Sequence, residues 1–362
     1  MIHDRYHRQR LLPVVGDAGQ ERLRSASVAV VGMGALGCVS ADQLVRAGVG
    51  RLVLIDRDVV ELTNLQRQPL YTEADAAGSV PKVAAAARRL QEVNSTVCLE
   101  PHAADLTARN ATAMLADCDV IIDGTDNFET RYLLNDVAVR GGVHYVYGGA
   151  VATRGMVMRL AGRREAPRPC LRCVFPHPPA LGSQPTCDTA GVLGAASGIA
   201  ASLQAAIAIG AIVSDGGSSD RAVGSSSAGE SGFTLIEIDA WTLAIRKVNI
   251  TRDSACPCCV ERKFEFLEGS ADGESVRLCG TATYQVWPRR TGLSAEEGVD
   301  LERLGSKLRT ALGSPVEVTA MLLRCTLPEG TEMLLFTDGR ALLRGAGREE
   351  TARALYAKYV GS

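Results

Sequence analysis

The sequence has almost no excess of either charge. It holds 39 Lys+Arg against 41 Asp+Glu, a net charge of -2. No global electrostatic argument therefore favours nucleic acid or an anionic membrane as a partner. The opening residues, MIHDRYHRQR, contain no apolar run. No secretory signal is expected, and the expected location is a reducing cytoplasm. A disulfide framework is not expected either. The 11 cysteines are an odd number in a chain of 362 residues, which suits metal binding or thiol chemistry better. No internal repeat is found. Residues 190–214 lack charge altogether and are long enough to cross a bilayer. They are mostly Ala, Gly and Ser, with Gln204 inside and no aromatic or Lys/Arg anchors nearby. The expectation is a buried core helix and no membrane.

What is present is a regular alternation. Strands are read at 28–31 (VAVV), 51–56 (RLVLID), 97–100, 120–122 and 143–146. Between them come helical patterns at 38–47, 81–94, 107–116 and 127–140. Strands alternating with helices predict an α/β fold, a Rossmann-like, doubly wound and mostly parallel sheet. Strand-like segments at 151–160 and 233–250 then continue it with more irregular joins. Residues 215–232 form a Gly/Ser-rich stretch, read as a flexible insertion. A linker is read at 268–274. It divides the chain into a domain at 1–269 and a small α+β domain at 270–362. In the latter a strand is expected at 276–287 and a helix at 295–312. A hairpin is expected at 332–337 and 340–343, joined by Asp338-Gly339, with a closing helix at 348–360.

Five constellations carry chemistry. The first is GMGALG, with Gly32, Gly34, Ala35 and Gly37 between a strand and a helix. Such a turn presents helix N–H groups to a phosphate, and Asp56, at the end of the next strand, can accept hydrogen bonds from a ribose. This pattern does not separate NAD from ATP. The second is basic: Arg67 and Lys82, with a cluster around Arg8. Attack of a carboxylate on an α-phosphate brings anions together, which such cations would offset, whereas hydride transfer has no use for them. Solvated surface charge is the alternative for Arg67. The third is Cys170-x-x-Cys173 with Cys256-x-x-Cys259, four thiolates for a closed, structural zinc. Cys258 leaves the ligand choice ambiguous. The fourth is Cys187, in a loop before the apolar helix, either a nucleophile or an inert thiol. The fifth is DGTDN, ending in Asp126 and Asn127 at a strand's C-terminal edge. Asp126 either holds magnesium on a triphosphate or caps the next helix.

The motifs RYHRQ, GMGALG, GVGRLVLID, NLQRQ, VPK, DGTDN, TCDTAGV and the two CxxC pairs, in that order, resemble the ThiF/MoeB/HesA family. These are relatives of ubiquitin-activating enzymes, and the resemblance covers about residues 3–267. It implies ATP-dependent adenylation of the C-terminal glycine of a ubiquitin-like sulfur carrier ending in Gly-Gly. On that resemblance Asp56 would hold the ribose, Arg67 and Lys82 the phosphates and Asp126 a magnesium ion. Asn64 and Gln66 would orient the phosphate side. Arg8 would reach into the partner subunit of a homodimer, and Cys187 would lie in the loop crossing the site. A cysteine desulfurase or other sulfur donor is implied downstream. Ala35 stands where many members have glycine. The segment from about 270 onward has no C-R-x-G loop of a rhodanese, and its expected role is recruitment of the carrier or a donor. Rival readings are adenylation of a peptide or other carboxylate, a nicotinamide dehydrogenase, and a zinc-bound scaffold without catalysis.

Overall fold

The computed structural model describes residues 4–161, 168–179, 187–214, 233–269, 276–277, 283–287, 299–328 and 330–361. The chain divides into two compact units, Met1–Ser270 and Ala271–Ser362. The Gly/Ser-rich stretch 215–232 lies outside the described residues.

In the first unit the strands are β1 (Ser27–Val31), β2 (Arg51–Ile55), β3 (Cys98–His102), β4 (Val120–Asp123), β5 (His144–Val151), β6 (Arg154–Ala161), β7 (Phe233–Asp239) and β8 (Ala244–Ile250). They form one sheet in the order β3-β2-β1-β4-β5-β6-β7-β8. The pairs from β3 to β5 are parallel, and those from β5 to β8 antiparallel. This is the expected α/β sheet with an antiparallel continuation. β1 and β4 are wholly buried, which is why they read as unbroken apolar runs. The chain order reverses between β1 and β4, the position where open α/β sheets leave a crevice.

The helices of this unit are α1 (His7–Arg10), α2 (Gly16–Ser25), α3 (Ala35–Ala47), α4 (Glu73–Ala77), α5 (Lys82–Val93), α6 (Ala111–Met114), α7 (Phe128–Gly141), α8 (Leu171–Val174), α9 (Cys187–Ala190), α10 (Gly194–Ser214) and α11 (Glu265–Glu268). Helix α10 is long and apolar enough to cross a membrane by length and composition. Here it packs against α3, β5 and β6. Its polar residue Gln204 is fully buried and satisfied. The amide donates to the Asp123 carbonyl at 2.8 Å and the Val146 carbonyl at 3.2 Å, and accepts from the Ser40 hydroxyl at 3.4 Å.

Several boundaries differ from the sequence reading. The helix expected at 107–116 is only the short α6. The Asn110 side chain accepts from the Thr107 amide and donates to the Asp105 carbonyl, a local turn that competes with helix. The strand expected at 151–160 starts later, because Ala152 takes φ +52° and turns the chain between β5 and β6. The segment 233–250 is a hairpin, with Leu243 at φ +59° in its turn.

The second unit is α+β. Its strands are β9 (Val276–Arg277), β10 (Thr283–Val286), β11 (Val316–Val318), β12 (Leu322–Thr326), β13 (Glu332–Phe336) and β14 (Ala341–Arg344). They form an antiparallel sheet ordered β11-β12-β13-β14-β10-β9. Helices α12 (Leu301–Leu312) and α13 (Glu349–Tyr359) contribute Leu308 and Leu355 to its apolar core beside Leu323, Leu335 and Leu343. Asp300 caps α12, so the helix begins later than residue 295. The single strand expected at 276–287 is an antiparallel pair, and β11 and β12 were not foreseen.

Candidate active site

The glycine-rich turn joins β1 to α3. Gly32 takes φ +86°, and a methyl there would lie 2.6 Å from the Gly124 carbonyl oxygen. A methyl on Gly37 would lie 1.9 Å from the Gly32 carbonyl oxygen, and one on Gly124 2.2 Å from it. These three glycines let the β1 turn and the β4 turn touch backbone to backbone. Gly34 is different. Its nearest neighbours, Gln68 Nε2 and the Gly124 oxygen, are both 3.9 Å from a methyl position, and its φ is -83°. Gly34 caps α3, and Ala35 is that helix's first residue. The free N–H groups of a thirteen-residue helix therefore open beside Gly34.

The turn is held from two sides. The Met33 amide donates to Asp56 Oδ2 at 2.6 Å, and the Tyr71 hydroxyl donates to the Met33 carbonyl at 2.6 Å. The other Asp56 oxygen accepts from the Asp58 amide at 2.7 Å. Burial pushes the Asp56 carboxyl above its ordinary range, and the Lys82 ammonium pulls the other way.

Lys82 opens α5, is buried, and donates to Asp58 Oδ2 at 3.0 Å. Burial alone would lower its pKa, but Asp58 and Asp56 outweigh that, and the ammonium is held above its ordinary value. It is thus a fixed cation at neutral pH. Asp126 also acts on Lys82, on Arg57 and on Arg131 through its charge. Arg57 pairs with Asp105 at 3.4 Å. Asp58 and Arg57 were not singled out from sequence. Their signal was the run IDRD, in which a second acid follows Asp56 by two residues.

The loop after β4 stands on a buried network. Thr125 donates to Asp123 Oδ1 through its amide at 2.9 Å and its hydroxyl at 2.7 Å. The Tyr145 hydroxyl donates to Asp123 Oδ2 at 2.6 Å. Arg131 of α7 donates to the Thr125 carbonyl at 2.8 Å and the Gly148 carbonyl at 3.1 Å. The cap of α7 is Asn127, whose oxygen accepts from the Thr130 amide at 2.8 Å. Capping is therefore not the role of Asp126, which is exposed beside the cap.

The TNLQRQPLY segment is a tight turn built around a 3₁₀ helix, Leu62–Asn64. Asn64 is buried and accepts from the Glu61 amide at 3.0 Å, so its side chain shapes the turn. Arg67 is partly exposed and bonds the Thr63 carbonyl at 2.9 Å. Gln66 is exposed. It is Gln68, missed in the sequence reading, that turns inward to Gly34. The start of α10 abuts this turn: a methyl on Gly194 would lie 3.0 Å from the Gln66 carbonyl oxygen. Cys187 opens α9, which lies against β5, but its side chain is outside the described residues. Arg8 is exposed on α1.

Cys170, Cys173, Cys256 and Cys259 come together with their sulfurs within 4.8 Å of one another. Cys170 and Cys256 are 3.6 Å apart, and Cys173 and Cys259 3.5 Å. Tetrahedral zinc with bonds near 2.3 Å separates its sulfurs by about 3.8 Å, so the set fits that ion. A cluster of this kind can hold a metal such as zinc. Cys258 donates to Asp136 at 3.3 Å and accepts from Asn135 at 3.2 Å, and its thiol also interacts with Cys170 of the cluster.

Residues 6–258 of the chain match the ThiF family. The chain belongs to the ThiF family. Within it, the sulfur carrier protein ThiS adenylyltransferase of Bacillus subtilis (strain 168) is 37% identical over 360 residues, 99% of each chain. The match therefore runs through the second unit as well as the first. The sulfur carrier protein adenylyltransferase of Thermus thermophilus is 41% identical over 261 residues, 71% of this chain and 90% of that one. A crystal structure of E. coli MccB superposes with a TM-score of 0.59 at 23% identity, covering 73% of this chain and 74% of that one. That likeness is one of fold alone.

Proposed function

We propose that the protein adenylates the C-terminal glycine carboxylate of a ubiquitin-like sulfur carrier of the ThiS type, using ATP and releasing pyrophosphate. The product is an acyl-adenylate ready for thiocarboxylation by a sulfur donor such as a cysteine desulfurase. The observation that carries this reading is Lys82. It is a buried, permanently charged cation set between Asp56, Asp58 and Asp126 beside the α3 turn. The names of the two sulfur-carrier adenylyltransferases that align with most of the chain support the substrate class.

The chemistry needs little from the protein beyond placement. A glycine carboxylate is already ionised at pH 7, so no general base is required. It must approach an α-phosphate of like charge, and the site offsets that repulsion. The free N–H groups of α3, Lys82 and Arg67 would meet the phosphoryl oxygens. Asp56 would receive the ribose, its second role beside holding Met33. Asp126 would hold magnesium, which supplies charge neutralisation on the triphosphate. Arg8, exposed on α1, would complete the site of a partner subunit in a homodimer located in the cytoplasm. Zinc in the cysteine cluster would be structural, because four thiolates leave no open position.

The test is ATP–pyrophosphate exchange with and without a carrier ending in Gly-Gly. Exchange should depend on the carrier and fall about 10²–10³-fold in Arg67→Ala, as for loss of one charge-stabilising donor. Absence of exchange with every Gly-Gly carrier, from a protein that binds ATP, would sink the carrier assignment and leave a peptide or small carboxylate as the substrate.

A further inference from the structure

Gln68 ends the turn that carries Arg67. Its backbone is fixed: the amide donates to the Asn64 carbonyl at 3.1 Å, and its carbonyl accepts from the Tyr71 amide at 3.4 Å. The side chain is only 3% exposed. Yet among the described residues Gln68 Oε1 has no hydrogen-bond partner. A buried amide left in this state works against folding, and such groups are uncommon in folded proteins. Oε1 is an acceptor that an anion cannot satisfy; it is the NH₂ end, for which no hydrogen bond is found among the described residues either, that can meet an anion.

The direction of the side chain says which ligand. Gln68 Nε2 lies 3.9 Å from the methyl position of Gly34, and the Gly124 oxygen lies at the same distance from it. Gly34 is the cap of α3, where the helix's unpaired N–H groups open. An amide NH₂ and a helix N-terminus thus converge on one small space kept clear by the missing side chain. Both offer donors, and a phosphate accepts on every oxygen. The unpartnered carbonyl end is the cost of holding the NH₂ end at that place.

We propose that Gln68 is a phosphate-binding residue of the nucleotide site, donating through Nε2 to a phosphoryl oxygen held over Gly34. This rests on the adenylation reading and adds to it a ligand contact from the second glutamine of the turn. Gln66, on the same turn, is exposed. The bond forms on binding, so its loss raises the dissociation constant and KM for ATP.

The test measures ATP and adenosine binding by the full-length protein, alongside thermal unfolding without nucleotide, for wild type, Gln68→Met and Gln68→Glu. Met keeps the volume and removes the amide. It should weaken ATP binding about tenfold or more, the worth of one hydrogen bond to a charged group. Adenosine, which has no phosphate, should bind as before, and the unfolding midpoint should not fall. Glu, which puts a negative charge beside the phosphate, should weaken ATP further than Met does. ATP binding unchanged in Gln68→Met would overturn the proposal. So would equal weakening of ATP and adenosine with a lowered midpoint, which would mark a structural residue. A wild-type protein that binds no ATP would remove the adenylation reading itself, an outcome visible before any variant is compared.

Discussion

At the scale of single residues the glycine-rich turn separates two kinds of glycine. Gly32 and Gly37 are there for the fold, because a methyl on either would overlap backbone, and Gly32 also has φ +86°. Gly34 has ordinary φ, and a methyl there would meet its nearest atoms at 3.9 Å, an ordinary contact. Gly32→Ala should therefore cost about 2–5 kcal/mol, combining left-handed strain with overpacking. That is a large share of the usual stability of a domain. Gly34→Ala should change stability by less than about 1 kcal/mol, since its φ suits alanine and nothing is displaced. Its methyl would instead occupy the space beside Gln68 where a phosphate is proposed to lie. Urea midpoints should fall only for Gly32→Ala, and ATP binding should weaken in a well-folded Gly34→Ala. A Gly34→Ala protein that binds ATP as wild type does would move the nucleotide away from this turn. The sequence pattern named all three glycines alike, because a motif records identity and not which hydrogen faces a ligand. The same limit explains the choice between glutamines. Gln66 and Gln68 are two residues apart in an irregular turn, where neither helical nor strand periodicity says which one points inward.

At the scale of elements, α7 joins two functional regions. Its first turn is capped by Asn127 beside Asp126, and Arg131 on the next turn braces the loop that carries that acid. Its middle offers Asn135 and Asp136 to the cysteine cluster. Asn135 accepts from the Leu171 amide at 2.7 Å, and Asp136 accepts from the Phe266 amide at 2.9 Å. Cys258 bonds both of them, which links the helix to the cluster. One zinc ion per chain is expected by metal analysis. Its removal by a chelator should lower the unfolding midpoint, since a structural ion contributes directly to folding. Cys259→Ser should lose the metal. Cys258→Ser, whose hydroxyl can still donate to Asp136, should retain it. Loss of metal from Cys258→Ser with retention in Cys259→Ser would reverse the ligand assignment. The gathering of these four cysteines was legible from CxxC spacing, because two residues between thiols suit one metal. The bonding of Cys258 was not, since it depends on side chains more than 120 positions away.

At the scale of the whole molecule, the parallel half of the first sheet was the most legible part. VAVV and RLVLID are short, mainly apolar runs with a glycine at one end, and buried parallel strands have that signature. In the second unit the hairpin was announced by Asp338-Gly339, a strong local turn signal. β11 and β12 carried less: β11 is three residues long and β12 includes Arg324, so neither stands out as an apolar run. Gln204 is the clearest case of information held only in three dimensions. In the sequence it looks like a flaw in an apolar helix, and in the fold it pins α10 to the end of β4 and to β5. The division of labour between the two units can be tested directly. Every side chain placed in the proposed nucleotide site, and all four cluster cysteines, belong to Met1–Ser270, which has an apolar core of its own. A chain ending at residue 269 should therefore bind ATP as the full chain does, and at saturating carrier it should keep its exchange rate within about twofold, a difference of less than 0.5 kcal/mol in the barrier. The carrier's KM then reads the second unit's part: a rise with unchanged maximal rate makes that unit a recruiting surface, and no change gives it a later task. Loss of the maximal rate, in a truncated protein that still holds zinc and unfolds cooperatively, would show that the chemistry needs residues beyond the first unit.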